Sequence, residues 1–123
     1  MAESFETILK EGWVEKRSRY FKSWRKRWAV LTPGSLFTFK APNAYTTTPT
    51  ENIAIRDCIN IRSAEEDVNN ENSFRVDTRG ISFFFLCESS AEKELWIGAI
   101  GRAMMRPKVL ISRGEEEELN QYV

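Results

Sequence analysis

Arg25 and Arg27 stand two residues apart in a strand-like run that also holds Trp24, Trp28, Val30 and Leu31, so an extended backbone projects both guanidinium groups from one face. Lys16 closes the preceding strand-like run, and Lys22 lies in the loop between the two. A guanidinium fork takes two oxygens of one phosphate and an ammonium is a compact mobile charge, so a mixture of both can surround several phosphates. The chemistry on offer is electrostatic capture of a polyanion such as a phosphorylated ring, with Arg25 and Arg27 clamping and Lys16 and Lys22 neutralising. The intervening loop adds Arg17 and Arg19 as auxiliary cations, together with backbone amides able to point at an anion. Tyr20 and Phe21 at its tip are flanked by Arg19, Lys22 and Ser23, a setting that suits insertion among lipid head groups. Local packing of Phe21 on the hairpin is the alternative, as solvated surface charge is for each cation. Lys26, between the two arginines, should point the other way.

The charge balance sharpens this reading. Nine of the 18 basic residues fall between Lys10 and Lys40, against Glu11 and Glu15 alone, so that segment carries about +7 inside a chain of net charge +0. There is no histidine, which removes the commonest general base and the commonest metal ligand together. Cys58 and Cys87 sit in apolar runs, as buried reduced thiols do, which favours the cytoplasm. No Asp/Glu pair or phosphate-cradling glycine loop stands out, so the reading is not an enzyme, with no cofactor and no metal. The segment Met1 to Leu9 lacks the marks of a signal peptide and no later run approaches ~20 apolar residues, so membrane contact should be peripheral. Tyr20, Phe21 and Trp24 beside arginines could stack bases, but nucleic acid is the weaker partner and is not expected.

Positioning these cations requires a sheet. The 123 residues suit one domain. Strands are expected at Gly12 to Arg17, Trp24 to Leu31 and Ser35 to Lys40, with a turn at Thr32-Pro33-Gly34 and an exposed loop from Ala41 to Thr50. Four more follow at Asn52 to Ile55, Cys58 to Ser63, Ser73 to Thr78 and Ile81 to Cys87. Glu65 to Asn72 reads as an acidic loop, and Arg79-Gly80 as a hairpin turn exploiting the tolerance of glycine for positive φ. Ser89 and Glu92 have capping-box spacing, ahead of Leu95, Trp96, Ala99, Ile100 and Ala103 on one helical face. Arg106 and Pro107 suit the helix end, and the four glutamates Glu115 to Glu118 suit an exposed tail.

Gly12-Trp13-Val14-Glu15-Lys16, then eight residues, then Arg25-Lys26-Arg27-Trp28-Ala29-Val30-Leu31, with Trp96 on a closing helix, resembles the pleckstrin homology (PH) domain family. The resemblance implies a mainly β fold, a seven-stranded barrel or sandwich of two near-orthogonal antiparallel sheets capped by one C-terminal helix. It places the domain at residues 9–106, with 107–123 as an acidic tail or linker. It implies that Lys16, Arg25 and Arg27 hold inositol phosphates, with Lys22 as a basic loop contact. Thr38 stands where many tight binders carry a tyrosine, as a shorter auxiliary contact, and Thr47 to Thr50 lack the usual extra cation. The implied function is a signal-transduction module that binds phosphoinositide lipids or inositol phosphates on an anionic membrane surface. Such a module is cytoplasmic, recruited peripherally to the membrane, and monomeric. The alternative is a PH-fold protein-protein interaction domain with little lipid specificity.

Overall fold

The computed structural model describes residues 7–105. Seven strands run β1 (Lys10–Arg17), β2 (Trp24–Leu31), β3 (Ser35–Phe39), β4 (Glu51–Ala54), β5 (Cys58–Ser63), β6 (Ser73–Thr78) and β7 (Ser82–Leu86). A helix over residues 90–105 closes the order and is α2 here; α1 is a single turn at Glu65–Val68. The strands pair antiparallel in the order β4-β3-β2-β1-β7-β6-β5. β1 joins the two halves of this ladder: it pairs along its length with β2 but meets β7 only through Glu15↔Leu86 and Lys16↔Phe85.

Alternation explains the layering. Val14, Ala29, Leu31, Leu36, Ile53, Val76, Phe83 and Phe85 are all buried, and the strand registers place them on one inner face. Trp96, Ala99, Ile100 and Ala103 of α2 complete that core. The helix starts where its sequence says it should: Ser89 Oγ accepts the Glu92 N–H at 3.1 Å and satisfies a donor that the first turn leaves open. Its stripe is narrower than expected, because Leu95 is 58% exposed and lies outside the buried face. None of the described helices is long and apolar enough to cross a membrane.

Two loops depart from the expectations. Glu65 to Asn72 is not all loop: α1 gathers three acids in its first turn and ends on Asn69 at φ 59°, a left-handed position that asparagine tolerates. Asp67 of this turn is tied to Arg75 Nη1 at 3.0 Å, which gives the acidic stretch a fixed partner on β6. Arg79-Gly80 does turn the chain, with the Thr78 N–H donating to the Ile81 carbonyl at 2.8 Å, but no described glycine has positive φ. Glycine there is a convenience, since a Cβ at Gly80 would meet nothing within 4 Å. The expected helix stop at Arg106 and Pro107 and the acidic tail 107–123 lie outside the described residues.

Candidate anion-binding site

The β1–β2 register brings Lys16 opposite Arg25 and Val14 opposite Arg27. Because Val14 faces the core, Lys16, Arg25 and Arg27 share that inner face and continue it past the point where apolar residues stop. They line one cleft of about 340 Å³, together with Arg19, Tyr20 and Phe21 of the connecting loop. The loop is shaped by Ser18, whose Oγ accepts the N–H groups of Tyr20 and Phe21 at 3.3 Å each. The Ser18 N–H in turn donates to the Ser23 carbonyl at 2.7 Å and closes the loop base. That closure leaves Tyr20 82% and Phe21 75% exposed, among the described residues the two most exposed large apolar side chains.

The remaining basic residues divide by face. Lys22, with its backbone in the left-handed region at φ 56°, does not line this cleft. It borders a separate cleft of about 120 Å³ with Arg17, Arg19 and Phe84. Arg17 stacks on Phe84 at 4.3 Å, and Lys26 on the outer face lies over Trp13 at 4.6 Å, as the alternation of β2 requires. Thr38 is wholly buried, with its Oγ1 2.6 Å from Thr50 Oγ1, so it anchors a cleft residue and does not itself reach the cleft.

One cleft residue escapes a reading that looks only for cations. Glu51, the first residue of β4, pairs with Thr38 across the ladder and therefore faces inward. Its Oε1 sits 3.1 Å from Lys16 Nζ and its Oε2 accepts from Arg19 Nη2 at 3.0 Å. The signal was available: Ile53 must face the core, so Glu51, two residues earlier, must share its side. The cleft thus holds four cations, Lys16, Arg19, Arg25 and Arg27, against one carboxylate. Lys16 is only 12% exposed and lies 5.6 Å from the Phe83 ring, so its charge is held where water screens it poorly. Such an arrangement offers preset donors to an anion.

Neither cysteine sits in a setting that activates a thiol. Burial, then the nearby Asp57 charge, pushes the Cys58 thiol up to about 11; burial, then Glu92, pushes that of Cys87 up to about 12. Both remain protonated and weakly nucleophilic at neutral pH. Among the described residues no His/Cys/Asp/Glu cluster could hold a metal ion.

Comparison with known proteins agrees with this fold. A family model described as PH domain matches residues 8–105. The chain is 36% identical over 100 residues to Pleckstrin homology domain-containing protein 1 of Arabidopsis thaliana, covering 79% of this chain and 69% of that protein. It is 31% identical over 125 residues to the RAC-beta serine/threonine-protein kinase of Rattus norvegicus, spanning 94% of this chain but only 24% of the kinase. Among solved structures, the C-terminal PH domain of pleckstrin in complex with D-myo-Ins(1,2,3,4,5)P5 superimposes with a TM-score of 0.65 at 28% identity, over 79% of this chain and 98% of that one.

Proposed function

Since the chain belongs to the PH domain family, a family of non-catalytic binding modules, we propose that it is a phosphoinositide-binding unit that targets its carrier to membranes. The observation that carries this reading is the convergence of Lys16, Arg25 and Arg27 on one cleft. Bidentate forks beside a poorly solvated ammonium suit vicinal phosphates on a ring better than a single diffuse charge. The inositol phosphate complex of the pleckstrin domain supports the ligand class. In this reading the carrier is cytoplasmic and reaches the membrane peripherally. The test is binding to liposomes that differ in phosphoinositide isomer at constant anionic charge, for the parent, Lys16→Ala and Arg25→Ala. The expected result is a preference among isomers that Lys16→Ala removes. Equal binding to every anionic liposome, abolished by moderate salt, would reduce the site to surface attraction. Binding that ignores both Lys16→Ala and Arg25→Ala would favour a protein partner instead.

Tyr20 and Phe21 supply the second contact in this reading. Their exposed rings flank the cleft, so a head group held by Arg25 and Arg27 would bring both into the interfacial region, where aromatic rings are favoured. Replacing both with Ser should weaken liposome binding by roughly tenfold or more through the lost apolar area. Affinity for a soluble inositol phosphate should stay within about twofold, because the cations are untouched. If the soluble ligand suffers equally, the rings serve the cleft and not the lipid.

A further inference from the structure

The cleft is not uniformly basic. Glu51 is 10% exposed and spends both carboxylate oxygens on cations, Lys16 at 3.1 Å and Arg19 at 3.0 Å. Among the described residues no carboxylate lies within ion-pair distance of Arg25 or Arg27, although both line the same space. One half of the site is therefore partly neutralised, one carboxylate against two cations, and the other is open. A phosphate entering the open half meets two guanidinium groups without a competing carboxylate among the described residues. A phosphate entering the other half must take Lys16 and Arg19 from Glu51. It would leave a poorly hydrated carboxylate beside a second anion, which is the costliest arrangement of like charges.

Resting on the reading of this cleft as a head-group site, we propose that Glu51 is a resident counter-anion that limits how many phosphates the site accepts. Head groups whose phosphates fit the Arg25 and Arg27 half bind with the Glu51 pairs intact. More heavily phosphorylated rings must displace those pairs and are discriminated against by repulsion, the negative half of specificity. The position of Glu51 suits the role. It follows the exposed Thr50 at the very start of β4, while its inward direction is enforced by Ile53 two residues on. A purely structural role, tethering β4 to the β1–β2 loop through Arg19, makes the opposite forecast: losing the carboxylate would loosen the loop and weaken every ligand.

The experiment compares the full chain with Glu51→Gln and Glu51→Ala, titrated calorimetrically with a soluble inositol bisphosphate and a soluble inositol tetrakisphosphate. The expected result is a gain of about tenfold or more for the tetrakisphosphate and less than about threefold for the bisphosphate, the differential expected from removing one like charge near the added phosphates. Glutamine keeps the shape and polarity of the side chain, and alanine checks that a residual amide contact does not mask the gain. Equal change for both ligands, or loss for both, overturns the proposal. Arg25→Ala separates loss of the counter-anion role from loss of the head-group site. If it abolishes binding while the Glu51 variants leave the ligand ratio unchanged, only the counter-anion role fails. If parent and Arg25→Ala bind the tetrakisphosphate equally, the head-group reading fails and takes this one with it.

Discussion

Arg25→Ala should lower the affinity for soluble inositol phosphates by roughly 10- to 150-fold, because a hydrogen bond to a charged group is worth about 1.5–3 kcal/mol and each 1.4 kcal/mol is tenfold. The residue is exposed and lies on the inner face directly across the ladder from Lys16, with no carboxylate partner among the described residues. Its guanidinium gives up no protein ion pair to receive a phosphate, so the binding energy reaches the ligand undiminished. Arg27 differs slightly, since its Nη1 already donates to the Lys26 carbonyl at 2.8 Å, a contact that orients the fork. Arg25→Lys should recover part of the loss by restoring charge without bidentate geometry. Melting temperature should hardly move, because exposed surface substitutions stay within about 0.5 kcal/mol. Calorimetric titration with melting curves of the same samples reads both quantities. An affinity within threefold of the parent would show that the cleft is not where the anion sits.

The trio on this cleft was legible because β-strands alternate strictly: two-residue spacing put Arg25 and Arg27 on one side and Lys26 on the other. Lys22 escaped that logic. A left-handed residue in a loop breaks alternation, and its side chain borders the smaller cleft with Arg17. Thr38 was misplaced for a different reason. Alternation does put it on the inner face, but being inward at mid-strand means burial, and its hydroxyl is taken by Thr50. Glu51 was missed because an acid at a strand start looks like a solvated terminus until its register with Ile53 is followed. The fold was more readable still, since apolar alternation and turn residues mark β2, β5 and β6 at Trp24–Leu31, Cys58–Ser63 and Ser73–Thr78. What sequence could not give was the single turn at Glu65–Val68, too short to show any periodicity and held by Arg75 from the next strand.

The second large effect belongs to Trp96, the largest of the wholly buried side chains where α2 meets the sheet. Its indole stacks at 6.5 Å on Phe74, which stacks at 5.0 Å on Phe85, and Lys10 Nζ stands 5.0 Å above the ring. Gly12 of β1 lies under the same ring: a Cβ there would sit 3.9 Å from Trp96 Cζ2, in ordinary contact. Trp96→Ala empties this space and should cost about 3–5 kcal/mol, out of a total stability of about 5–15 kcal/mol for a domain of this kind. The midpoint of thermal unfolding should fall by roughly 15–30 °C at the ordinary conversion for about 100 residues. Trp96→Phe should cost far less. Among the described residues the indole N–H has no hydrogen-bond partner, and an unpaired buried donor carries its own penalty of about 1–3 kcal/mol, which phenylalanine relieves while leaving a smaller void. Lys10 and Lys16 are six positions apart along β1, on the order of 20 Å at strand rise, so the anion cleft is remote from this damage. Folded Trp96→Phe should therefore bind inositol phosphate like the parent while melting below it, and an Ala variant that melts with the parent would show that α2 docks through a different face.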